Sequence, residues 1–133
     1  MLSSEAPIGT LVASAARTAD NYSEEMLNDG KYRGLLLTFN VTVNAGAAAS
    51  VTPTMQYKDP VSGAWITYQA FTAIAAVACT HALIYPMGLA AASWDIKPWT
   101  QEFAGPLPLL WRLFMDHADA NPATYSVGFQ YLP

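Results

Sequence analysis

Two alternating segments joined by a polar turn near the end of this chain most constrain its fold. Residues 109–116 carry apolar side chains at odd positions and include Arg and Asp at even positions. A period of two is the period of a strand. Residues 117–122 have turn composition, and residues 124–131 alternate again. Two half-buried strands with this spacing and a turn between them indicate a β-hairpin. The side chains on one face of its second strand are those of Tyr125, Val127, Phe129 and Tyr131.

Further alternating segments predict an all-β protein. Residues 35–43 form the clearest of them, residues 10–17 and 81–85 are weaker, and residues 51–58 and 65–70 predict a second hairpin about a turn at 59–63. Pro53 cannot donate to a ladder, so the strand that contains it is expected at an edge or beside a bulge. Six to eight short strands without a helical period favour a β-sandwich of jelly-roll type. The predicted core is Leu35, Leu37, Phe39, Trp111, Leu113, Val127 and Phe129.

The remaining segments predict less regular structure around a single domain. Residues 1–9 read as an N-terminal arm and residues 10–133 as one β-sandwich domain. Residues 20–32 are expected to form a polar loop with one helical turn. Residues 71–79 are ambiguous, because their alanines fit a helix, whereas their Thr, Ile and Val residues fit an irregular connection or a short strand. Residues 89–108 contain three prolines and are expected to form a long loop with one short strand.

The composition indicates a surface that another protein covers. Only 12% of the residues are charged and 53% are hydrophobic, whereas charged residues usually make up about 25% of a soluble domain. The net charge of −4 and the six scattered Lys and Arg residues argue against nucleic-acid binding. No leader is recognised, and the apolar run at 73–79 is far shorter than the roughly 20 residues of a membrane helix. Its cysteine, Cys79, is expected to be buried and inert.

No motif in the chain predicts catalysis, a metal or a cofactor. His81 and His117 lie far apart in the sequence without Cys or carboxylate partners at ligand spacing. One group of polar residues resembles a calcium loop but lacks the Gly and the distal Glu of such a loop: Asp116, His117, Asp119 and Asn121. We therefore expect that the protein is not an enzyme. One set of aromatic residues could fill a core or an interface, or could line a sugar-binding platform: Tyr57, Trp65, Tyr68, Trp94 and Trp99.

Three strings of residues resemble a family of small structural proteins encoded by tailed bacteriophages. The first is Arg-Gly-Leu-Leu-Leu at 33–37, and the second is residues 51–63, which end in Lys-Asp-Pro-Val-Ser-Gly. The third is residues 117–128, which contain Tyr-Ser-Val-Gly at 125–128. Tyr57 stands where the family usually has Gly, and Leu110 where it has a basic residue before the tryptophan. Both changes make the surface more apolar.

The resemblance implies a virion component that decorates or cements the outside of the capsid after synthesis in the bacterial cytoplasm. The expected partners are the major capsid protein and further copies of the chain, with a trimer favoured. The interface candidates are Trp94 and Trp99 within 89–108, together with Tyr57 and Leu110. The arm at 1–9 is the candidate for capsid contact. The alternative is a virion protein that binds a host glycan or acts in adsorption or at the head–tail junction.

Overall fold

The chain folds as a β-sandwich of two packed sheets, in a computed structural model that describes residues 8–44, 49–86 and 100–133. The described residues contain strands and no helix. The strands are β1 (Ile8–Arg17), β2 (Asn21–Tyr22), β3 (Met26–Leu27), β4 (Gly34–Asn44), β5 (Val51–Lys58), β6 (Trp65–Ala70), β7 (Ala78–Tyr85), β8 (Thr100–Ala104), β9 (Leu110–His117) and β10 (Ala123–Leu132). The all-β prediction is confirmed. Strand β1 begins two residues before the predicted domain, and residues 1–7 of the predicted arm lie outside the described residues.

Each sheet contains five strands and draws on both ends of the chain. Sheet A has the order β1-β10-β4-β7-β8, in which only the β7–β8 pair is parallel. Sheet B has the order β2-β9-β5-β6, and β3 also pairs with β9. The long strand β10 lies between β1 and β4, so its aromatic face covers one side of the core.

The predicted C-terminal hairpin is wrong, because its two strands belong to different sheets. Strand β9 pairs with β5 in sheet B, whereas β10 pairs with β1 and β4 in sheet A. The connection at 118–122 therefore crosses from one sheet to the other, and the apolar faces of β9 and β10 meet across the core. Alternation indicates which face of a strand is buried but not which strand lies beside it. The second predicted hairpin, β5–β6, is present.

Residues 20–32 form edge strands in place of the expected helical turn. The backbone N–H of Ser23 donates to the carbonyl of Leu113 at 2.8 Å, and the Leu113 N–H donates to the Ser23 hydroxyl at 2.9 Å. The Asn28 N–H donates to the carbonyl of Leu109 at 2.7 Å. These bonds run along β9, so the segment's donors are satisfied by the sheet rather than by a helix. Asp29 and Gly30 then turn the chain with φ of 62° and 73°.

Pro53 lies in an interior strand, and its position explains why the sheet tolerates it. Strand β5 has β9 on one side and β6 on the other, with a register shift between Met55 and Gln56. The Pro53 carbonyl accepts from the Phe71 N–H at 2.9 Å, on the side of β6. The ring nitrogen faces the same side, and pairing with β6 begins only at Thr54. The missing N–H therefore removes no bond to β9.

The core lies between the sheets and contains nearly all the residues predicted for it. The predicted set is buried except for Phe129, which is half-buried and packs against the cluster. Leu109 precedes β9 and is 60% exposed, so it does not share the buried face of Trp111. The prediction that Cys79 is buried is wrong. Cys79 lies opposite Asn40, on the face of sheet A that points away from the core, and it is exposed.

Candidate functional site

The outer face of sheet B carries a column of aromatic side chains that encloses an arginine. The Phe114 ring stacks on the Tyr22 ring with centroids 4.8 Å apart. The Arg112 guanidinium carbon lies 4.0 Å from the Tyr22 ring centroid and 4.4 Å from the Trp65 ring centroid. We call these four residues the arginine column. Strands β2, β9 and β6 supply them, because alternate side chains of each strand lie on the outer face of sheet B.

The guanidinium of Arg112 is held in a fixed orientation. Its Nε donates to Oε1 of Gln56 at 2.7 Å. Gln56 is the cross-strand partner of Arg112 in β5. Two rings flank the group, so its other N–H donors can be reached only along the edge of its plane. Among the described residues, no carboxylate lies within ion-pair distance of Arg112.

The neighbouring cation on this face has its own counter-charge. The Lys58 ammonium lies 5.6 Å from the Trp65 ring centroid and 3.6 Å from Oε1 of Glu25. Both side chains of this ion pair are partly exposed, so the pair adds little stability. The positive charge that lacks a described partner on this face is therefore that of Arg112.

The predicted interface residues fall in different places. Leu110 lies on the outer face of sheet B, two residues from Arg112 and opposite Leu27, which is 64% exposed. Tyr57 lies opposite the buried Trp111 and packs edge-on against Tyr68, with centroids 5.9 Å apart. Tyr57 is therefore half-buried beside the core rather than part of the outer face. Trp94 and Trp99 lie outside the described residues.

The outer face of sheet A differs sharply from that of sheet B. Four strands of sheet A, β1, β10, β4 and β7, together contain a single residue of the charged types Lys, Arg, Asp and Glu. This residue is Arg17 at the end of β1. The side chains that alternate with the buried ones are short or uncharged, and they include Thr38, Asn40, Thr42, Ser126, Gly128 and Gln130. The charge deficit of the whole chain is thus concentrated in these four strands.

A polar cluster joins the two sheets at one end of the sandwich. The Tyr125 hydroxyl contacts Nε2 of His117 at 2.7 Å and accepts from Nδ2 of Asn21 at 2.5 Å. The backbone N–H of His117 donates to the Asp20 carboxylate at 2.7 Å. Burial lowers the pKa of His117, and the charge of Arg17 acts in the same direction, although nearby carboxylates oppose it. Burial likewise raises the pKa of Tyr125. The cluster positions β10 against β9 and β2.

The described residues supply no metal cluster of His, Cys, Asp or Glu side chains. His81 lies on β7 of sheet A and His117 on β9 of sheet B, so the two histidines belong to different sheets. In the calcium-like segment, Asp119 accepts from the Asn121 backbone N–H at 3.0 Å, which is ordinary turn chemistry. Within the described ranges, no helix is long and apolar enough to cross a membrane.

Sequence reasoning placed two members of the arginine column on one side of a strand but did not identify the cluster. The alternation in residues 109–116 places Arg112 and Phe114 on one outward face, as observed. Tyr22 was missed, because residues 20–32 read as a loop and a two-residue strand has no measurable period. No family model matches the chain, and no curated protein matches it.

Proposed function

We propose that the protein is a structural component of a tailed-phage virion that binds the outside of the capsid and stabilises the head. The three strings that resemble phage structural proteins support this role. The Lys-Asp-Pro-Val-Ser-Gly string forms the turn between β5 and β6, and the Tyr-Ser-Val-Gly string lies in the middle of β10. Residues 60–63 of the string in the turn are exposed, so they are available for contact with another protein.

The finer fold that we propose is a jelly roll. The order β1-β10-β4-β7 in one sheet and β2-β9-β5-β6 in the other supports it, because jelly rolls are eight-stranded double sheets built from two Greek keys. Strand β8 is then an addition at the edge of sheet A. Such a fold leaves two broad outer faces for assembly.

The observation that carries the assembly role is the nearly uncharged outer face of sheet A. The exposed part of this face carries Thr, Ser, Asn and Gly residues, whereas Leu83 and Leu132 on the same side are already buried. Covering the exposed part removes no charge from water, so it costs less than covering a charged surface. The proposed partners are the major capsid protein and further copies of the chain, with a trimer favoured by the resemblance. The proposed location is the outer capsid surface.

Copy number in purified virions tests the proposal. Gel densitometry is expected to give a copy number that scales with the capsid protein. A few copies per particle would instead place the protein at the head–tail junction or in the adsorption apparatus. Light scattering of the isolated chain at micromolar concentration tests self-association, and a mass near 14 kDa would contradict the oligomer.

Glycan binding is the second candidate, and the exposed aromatic residues of sheet B favour it. Tyr22 is 52% exposed and Trp65 is partly exposed. Sugars stack on free aromatic faces, however, and here Phe114 and Arg112 lie against the Tyr22 ring, while Arg112 lies against the Trp65 ring. Glycan-array binding that disappears in Tyr22→Ala or Trp65→Ala would favour this candidate over capsid binding.

A further inference from the structure

We propose that the arginine column is a docking surface for an acidic protein partner, whose Asp or Glu carboxylate meets the Arg112 guanidinium edge-on. The inference deepens the proposed function, since it assigns the chemistry by which the chain would recognise the protein that it coats. It concerns sheet B and does not depend on the uncharged face of sheet A.

The orientation of Arg112 selects a carboxylate. The rings of Tyr22 and Trp65 flank the guanidinium, and Gln56 occupies its Nε. An incoming group can therefore meet only the in-plane N–H donors, which match the two oxygens of a carboxylate. The side chain is already ordered by these contacts, so binding costs less conformational entropy than it would for a free arginine.

The composition of the surface is that of a binding hot spot. Tyr, Trp and Arg are the residue types that carry most of the energy in protein interfaces, and all three are in contact here. Apolar side chains continue the face along β9 and β3, because Leu110 is half-buried and Leu27 is largely exposed. A partner that covered these residues would exclude water from the Arg112 pair and strengthen it.

Charge complementarity points to an acidic partner. Lys58 is neutralised by Glu25, whereas Arg112 has no described carboxylate within ion-pair distance. The chain as a whole carries a net charge of −4, so most of its surface would repel an acidic protein. Asp116 lies on the same outward side of β9, four residues from Arg112, so an acidic partner would approach through the Arg112 end of this face.

Hexaglutamate and hexaglutamine are the probes that test the chemistry. Titration of the ¹⁵N-labelled full chain is expected to shift the indole N–H signal of Trp65 and the Nε–H signal of Arg112 with hexaglutamate, and to leave both unchanged with hexaglutamine. Arg112→Gln is expected to weaken the binding by at least about 10-fold. Lys58→Gln is the matched control, because it removes the same charge from the same face, and it is expected to weaken binding by less than about 3-fold.

Three results would overturn the inference: no shift with hexaglutamate, equal shifts with both peptides, or equal losses in the two variants. If Arg112→Gln does not fold, Arg112→Lys replaces it, since lysine keeps the charge but loses the planar donors. Capsids of the encoding phage, assembled without this protein, separate the two proposals. Wild-type binding that Arg112→Gln does not weaken would refute docking through the column and leave the capsid role standing. Hexaglutamate binding without capsid binding would refute the capsid role alone.

Discussion

Replacing Trp111 by alanine should cause a large loss of stability. Trp111 is fully buried near the start of β9, where its ring packs edge-on against Tyr131 with centroids 6.3 Å apart. Its cross-strand neighbours are Tyr57 on β5 and Met26 on β3. A truncation at this position therefore opens a cavity between the two sheets.

The expected cost follows from three contributions. A buried aromatic side chain covers about 150–250 Å², which corresponds to about 4–6 kcal/mol at about 25 cal/mol per Å² as an upper bound. The indole Nε1 of Trp111 is buried and makes no hydrogen bond of normal length, although it interacts with the Tyr131 hydroxyl, so deleting this donor offsets the loss by about 1 kcal/mol. Because the cavity left behind adds to the loss, we expect Trp111→Ala to cost about 3–5 kcal/mol. Trp111→Phe keeps a ring and removes the indole donor, so it should cost less than half as much.

Urea unfolding followed by circular dichroism measures both free energies. Trp65→Ala is the matched control, since it deletes the same side chain from the outer face, where it loses mainly its contacts with Arg112 and Lys58. That variant should cost about 1–2 kcal/mol. If Trp65→Ala proved as destabilising as Trp111→Ala, β9 would not present Trp111 to the core. A Trp111→Phe cost equal to that of Trp111→Ala would refute the role assigned to the indole donor.

Three smaller predictions concern the 59–63 turn and the two partly buried histidines. Burial holds the pKa of His117 below its unfolded value of about 6.5, so the unfolded chain binds the proton more tightly, and stability should fall as the pH drops through that value. The melting temperature should differ less between pH 7.5 and pH 5.5 in His117→Gln than in the wild type. His81, whose pKa burial also lowers, accounts for the difference that remains. Gly63 has a φ of 77°, so Gly63→Ala should cost about 1 kcal/mol in urea unfolding, and no loss would contradict the turn. The Ser62 hydroxyl donates to Asp59 at 2.6 Å and lowers its pKa, so Ser62→Ala should raise that pKa in an NMR titration.

The sequence predicted which side of each strand is buried better than it predicted pairing. The alternation around Trp111 and Val127 correctly placed both side chains in the core. It could not show that 118–122 crosses between sheets, because a crossing loop and a hairpin turn share the same Asx and Pro residues. The turn at 59–63 was recognisable, since Asp59 accepts from the Val61 and Ser62 N–H groups and Gly63 takes a positive φ.

The arginine column shows where local reasoning stops. Arg112 and Trp65 are far apart in the sequence and not even cross-strand partners, since Arg112 pairs with Gln56 and Trp65 with Lys58. Their contact depends on the order of three strands in sheet B, which no local pattern encodes. Cys79 illustrates the same limit, because its apolar neighbours suggested burial while its register opposite Asn40 turned it outward.

The placement of the two outer faces restricts how the proposed contacts can be combined. The sheets pack through their inner faces, so the arginine column and the uncharged face of sheet A point in opposite directions. If two copies paired through sheet A about a twofold axis, their arginine columns would face away from each other. A single acidic capsid surface could then not bind both columns. A cyclic trimer uses two different patches on each chain, so all three columns can face the same side. Docking through Arg112 is therefore compatible with the proposed trimer, whereas a twofold pair through sheet A would allow only one of its copies to dock on a given shell.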